Sequence, residues 1–175
     1  LQHFLPGLRP DPATGAITDW LILDRPFNQA LVTDFGPAGN AEATLEPVWF
    51  EDRDAPGHPS NVNGGRWLDF FSLNPDGTPD PTVNLLDYFA QPVDGAPVAN
   101  GDNDTTYLFT YVYNLSQVNN FFATLQTVTN NPHTITFNGQ QIITQAVGGN
   151  AQAQVPLRRG VNTLLVKIQR VAGVW

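Results

Sequence analysis

Asn162-Thr163-Leu164-Leu165-Val166-Lys167-Ile168-Gln169-Arg170 is the stretch that decides the fold. Leu164, Val166 and Ile168 alternate with Leu165, Lys167 and Gln169. A period of two sends each set to one face of a strand, one face buried and the other expected wet. The preceding stretch repeats the pattern. In Ala151–Leu157, Ala151, Ala153, Val155 and Leu157 alternate with Gln152, Gln154 and Pro156. Upstream, Phe121, Ala123 and Leu125 share a face of Phe121–Val128, and Thr105–Tyr113 is β-branched and aromatic throughout, as in a strand covered on both sides. Between these runs lie turns. Asn138-Gly139 stands between two β-rich segments, the strongest short hairpin signal. Gly148-Gly149-Asn150 and Arg159-Gly160 mark the next reversals.

The first half is looser. Ile17–Asp24 and Trp67–Leu73 read as strands, and Thr82–Phe89 as a third strand or a single helical turn. Pro- and Asp-rich loops separate them at Gly36–Asn40, Glu51–Gly65 and Asn74–Pro81. Residues 1–16, with Pro6, Pro10 and Pro12, read as an extended arm or linker, and residues 17–175 as a single β-sandwich domain. With 175 residues the chain can bury a core without staples. Short strands and Gly-rich turns without helical periodicity define an all-β, antiparallel sandwich or jelly roll.

Four spaced signatures carry a family resemblance. Ile17-Thr18-Asp19-Trp20-Leu21-Ile22-Leu23 followed by Arg25-Pro26-Phe27 opens the domain, and Thr110-Tyr111-Val112-Tyr113 lies at its centre. Ile135-Thr136-Phe137-Asn138-Gly139 and Leu157-Arg158-Arg159-Gly160-Val161-Asn162-Thr163-Leu164-Leu165-Val166-Lys167 follow, the last with Gly173-Val174-Trp175 behind it. Taken together they resemble the galactose-binding-domain-like jelly rolls attached to secreted bacterial glycoside hydrolases and surface proteins. The resemblance spans about Ile17 to Trp175 and implies fold strongly and ligand weakly. It implies turn roles for Asn138 and Asn162 and core roles for Trp20, Trp67 and Trp175. Two departures stand out: Thr129-Asn130-Asn131-Pro132-His133 lacks the acidic residues common there, and relatives continue past the last motif into another strand.

Charge and composition narrow the function classes. Charged residues are only 14% of the chain, against about 25% in average proteins, and Asn, Gln and Thr take their place. A surface of neutral amides and hydroxyls suits secreted proteins, glycan contacts and packed assemblies. All sixteen acidic residues lie between Asp11 and Asp104, whereas Arg158, Arg159, Lys167 and Arg170 are the charges that follow. Either the sheet interleaves the two halves, or the molecule has an acidic and a basic end. Four cations make no track for nucleic acid, and no apolar run spans a bilayer. Without Cys there is neither disulfide nor thiolate chemistry, and without Met the chain reads as processed or excised from a secreted or cell-surface protein.

Catalytic signals are weak. Ser60, Ser72 and Ser116 occupy no nucleophile elbow, and His3, His58 and His133 are isolated and read as surface or turn residues. Glu42, Glu46 and Glu51 crowd one loop-rich stretch, as acidic loops do without catalysis. The expectation is a non-enzyme. Asn100, Asp102 and Asp104 alternate like the first oxygen ligands of a calcium cage. Thr105 replaces the turn glycine and Tyr111 the bidentate acid, so this is not an EF-hand. Structural calcium there, or at Asp52 and Asp54, stands beside solvated turns as a reading. Trp49-Phe50, ahead of an acidic loop, is the candidate platform for a sugar, with Asp52, Asp54, Asn61 and Asn63 as polar contacts. Asn103-Asp104-Thr105 and Asn114-Leu115-Ser116 fit the N-glycosylation pattern.

Two functions follow from the sequence. One is a non-catalytic extracellular module for glycan recognition or adhesion. The other is a structural subunit of a filament or surface layer, assembled head-to-tail from neighbouring copies. In that second case the apolar arm residues Leu1, Phe4, Leu5 and Leu8 would add a strand to an edge beside Asn162–Arg170.

Overall fold

The computed structural model describes residues 14–24, 26–31, 42, 67–78, 80–90, 103–116, 121–172 and 175. Among the described residues the elements follow in chain order: β1 (Asp19–Leu23), β2 (Phe27–Asn28), β3 (Trp67–Phe71), α1 (Leu85–Ala90), β4 (Asp104–Asn114), β5 (Phe121–Thr129), β6 (His133–Phe137), β7 (Gln140–Gln145), β8 (Gly149–Leu157) and β9 (Gly160–Gln169). They form two antiparallel sheets, as the alternation predicts. The larger runs β3-β1-β4-β9-β6-β7 with β2 beside β4, and the smaller is β5-β8. No helix of the described residues is long and apolar enough to cross a membrane.

Turn chemistry sets the register. Asn138 and Gly139 both take positive φ, 49° and 78°, the backbone of a tight hairpin turn, and pair Phe137 with Gln140. Strands β4 and β9 pair from Thr105↔Gln169 to Asn114↔Gly160 and form the spine of the large sheet. Trp20, Ile22, Leu108, Ile135, Leu164 and Val166 pack against Ala151 and Val155 of the small sheet. Between the sheets α1 adds Leu85 and Phe89, four residues apart on one helical face. This resolves Thr82–Phe89 as a helical turn rather than a strand. The ring of Phe89 packs on Trp175 at 5.0 Å between centroids.

The opposite face of the large sheet is buried too, around Leu21, Leu23, Trp67, Tyr107, Phe109 and Leu165. Two expectations change as a result. The second face of Asn162–Arg170 is not wet: Leu165 and Lys167 are 4% and 1% exposed, because this sheet is covered on both sides. Nor is a strand place vacant beside it, since β9 is flanked by β4 and β6. The charge halves are interleaved where β4 and β9 pair, and Lys167 meets Glu42 at 2.7 Å. Trp20 and Trp67 are core residues as expected.

Candidate functional site

Strands β5 and β8 read FFATLQTVT and GNAQAQVPL, without a charged residue. Alternation turns Ala123, Leu125 and Thr127 of β5, and Ala151, Ala153 and Val155 of β8, toward the core. The other set faces outward in four cross-strand pairs: Phe122 with Pro156, Thr124 with Gln154, Gln126 with Gln152, and Val128 with Asn150. Phe122 is 62% exposed and Val128 72%. The Gln154 amide donates to the Thr124 hydroxyl at 2.6 Å, which fixes one rung. From Phe122 to Val128 the face runs about 20 Å. It offers one exposed aromatic ring and a ladder of neutral donors and acceptors. Chemically it can stack on an apolar ligand face and hydrogen-bond hydroxyls without desolvating a charge.

A second polar cluster lies buried against the Tyr107 side of the large sheet. Lys167 Nζ donates to Glu42 Oε1 at 2.7 Å. Tyr107 Oη lies 2.6 Å from the same oxygen and 3.2 Å from Gln29 Oε1, so its single proton goes to the carboxylate, the closer and charged acceptor. The ammonium also stands 5.4 Å from the Tyr107 ring centre. The Gln29 carbonyl accepts from Thr105 Oγ1 at 2.8 Å and Gln169 Nε2 at 3.2 Å. An acid, a base and a phenol meet here, but Lys167 is sealed at 1% exposure. The cluster holds Gln29 and Glu42 onto β4 and β9 and presents no ammonium to a substrate.

Two further polar groups are structural. Asn162, fully buried, accepts from Arg158 N and Asn138 Nδ2 through Oδ1 and donates to the carbonyls of Val112, Arg158 and Gly160 through Nδ2. His133 is also fully buried, contrary to a surface or turn placement. Its Nδ1 donates to the Asn131 carbonyl at 3.1 Å, and its Nε2 lies 2.9 Å from Thr127 Oγ1. It links β6 to β5. Asp76, in the turn after β3, titrates below the ordinary carboxylate range because the Thr78 hydroxyl and N–H donate to it.

Most sequence-expected site residues lie outside the described residues: Trp49, Phe50, Asp52, Asp54, Asn61 and Asn63 of the sugar loop, Asn100 and Asp102 of the calcium loop, and Leu1, Phe4, Leu5 and Leu8 of the arm. Asp104 is described; it opens β4 and is 8% exposed. Among the described residues no group of three His, Cys, Asp or Glu could hold a metal ion. Of the two glycosylation patterns, Asn103 is exposed, whereas Asn114 is buried and donates to the Leu157 carbonyl. The outward face of β5 and β8 is absent from the sequence expectations. Its signal is the alternation of neutral polar residues in both segments, but nothing local says that these segments pair.

No protein-family model matches the chain, and no curated protein does. Three solved structures are similar. The Ruminococcus gnavus β-glucuronidase matches over 87% of this chain at 14% identity and a TM-score of 0.43. The same enzyme with uronic isofagomine matches over 97% at 14% identity and a TM-score of 0.45. A β-glucosidase from Kluyveromyces marxianus matches over 99% at 12% identity and a TM-score of 0.43. The chain spans 20%, 23% and 18% of those structures, and at this identity the likeness concerns the fold alone.

Proposed function

We propose that this chain is a non-catalytic extracellular β-sandwich module that recognises neutral glycan across the outward face of β5 and β8. The observation that carries the reading is the pairing of exposed Phe122 with an uncharged ladder of Thr124, Gln154, Gln126 and Gln152. A sugar presents hydroxyls at its rim and C–H groups on its ring face. An aromatic ring and neutral amides complement both, and the absence of charge disfavours anionic competitors. The sealed Lys167–Glu42–Tyr107 cluster supports a binding role over a catalytic one. Trp49 and its neighbours form a second candidate platform, tested in the same assay.

Binding is read on an array of neutral glycans and then by titration of the best ligand. Truncating Phe122 to Ala should weaken binding about tenfold. Because the ring is solvent-facing, the melting temperature should hold. Trp49→Ala serves as the comparison: loss of binding there with Phe122→Ala unaffected would move the site to the loop. An array silent for the intact chain would end the glycan reading.

A further inference from the structure

Strand β5 forms the most open long edge among the described residues. It pairs with β8 and with no other described strand. Its core-facing residues Ala123, Leu125 and Thr127 remain half-exposed, whereas of the three opposite only Ala153 does. Ala123 and Thr127 are intermediate, but their partners Val155 and Ala151 are 3% and 9% exposed. Edges of sheets are ordinarily blunted by charge, proline, bulges or shortness. Strand β3 has five residues and an exposed Asp69. Strand β7 has six, and its pairing with β6 is bulged between Ile135 and Thr136. Strand β5 has nine residues, no charge, no proline and no bulge.

The sequence of β5 is also complementary to itself. Turned antiparallel about Leu125, Phe122 of one copy meets Val128 of the other, Thr124 meets Gln126, and Leu125 meets Leu125. Phe122 and Val128 are among the most exposed apolar side chains of the molecule, at 62% and 72%, and this register sets them side by side across the seam on the outward face. The two-fold axis runs perpendicular to the sheet, so outward residues stay outward in both copies. We infer that two copies of this chain associate through β5, making a continuous four-stranded sheet β8-β5-β5-β8. Such a contact is isologous and closes at two subunits. It does not rest on the glycan reading.

Sedimentation equilibrium of the purified chain tests the pairing. The wild type should pass from one chain mass to two with rising concentration. The double substitution Thr124→Lys with Gln126→Lys sets ammonium groups opposite one another twice across the two-fold axis. It should raise the dimerisation midpoint at least roughly tenfold. Thr124→Lys with Gln126→Glu replaces both repulsions by attractions and should restore the dimer. Because the chain has no Cys, Leu125→Cys gives an independent measure: oxidation should yield a covalent dimer that reductant dissolves. The inference is overturned by a wild type that stays single to millimolar concentration. An unshifted double-lysine variant, open-ended assembly, or failure of Leu125→Cys to cross-link would overturn it too.

Discussion

Asn162 shows how one side chain can close a fold. Its amide oxygen accepts twice, its two N–H groups are shared among three carbonyls, and together they span the β8–β9 turn, β4 and the β6–β7 turn. The partner Asn138 answers through its own Oδ1, which accepts from Thr163 N at 3.0 Å. Truncation of Asn162 to Ala would leave several buried backbone groups without partners. A loss of about 3 kcal/mol is expected, or roughly 6–12 °C in melting temperature for a chain of this size. Calorimetry of Asn162→Ala reads it directly, and a curve coincident with the wild type would contradict the latch. The Asn-Gly and Gly-x-Asn motifs were both legible as turn signals. That the two asparagines bond each other at 2.9 Å, across 24 residues of sequence, was not, because side-chain pairing depends on the register of β6 against β9.

Between elements, contacts that look alike in sequence differ in consequence. A Cβ at Gly148 would overlap the backbone of Asn130, because the turn before β8 crosses the turn after β5 at van der Waals range. Gly148→Ala should therefore cost roughly 1–3 kcal/mol, read by urea denaturation, whereas Gly77→Ala meets open space and suffers only its positive φ. The Lys167–Glu42 pair works at the same scale. Lys167→Met removes a buried ammonium from beside the carboxylate and should destabilise by about 3 kcal/mol. Adding Glu42→Gln should recover part of that loss. A double variant whose loss equals the sum of the two single losses would show that the pair is not coupled. Periodicity placed Lys167 on a wet face because a strand pattern records alternation, and a charged residue ordinarily marks the solvent side. A second buried face can hold a lysine only when a distant segment supplies its counter-charge.

For the molecule as a whole, the outward face proposed for glycan and the edge proposed for pairing lie on the same two-stranded sheet, β5 with β8. The calcium expectation at Asn100, Asp102 and Asp104 is decided by melting curves with and without chelator. Native-state ligation predicts a fall on chelation, and an unchanged curve removes calcium from the account. Local pattern determined the all-β class, the Asn138-Gly139 and Arg159-Gly160 turns and the core residues of β4, β8 and β9. These follow from side-chain periodicity and from backbone conformations that particular residues favour. Tertiary structure decided the order β3-β1-β4-β9-β6-β7, the covering of β9 on both faces, the helical turn at Leu85–Ala90 and the burial of His133. It also brought Phe122, Thr124 and Gln126 beside Pro156, Gln154 and Gln152. Partners that lie 26 to 34 residues apart in sequence are joined by sheet pairing, and no local pattern specifies which strand a given edge will meet.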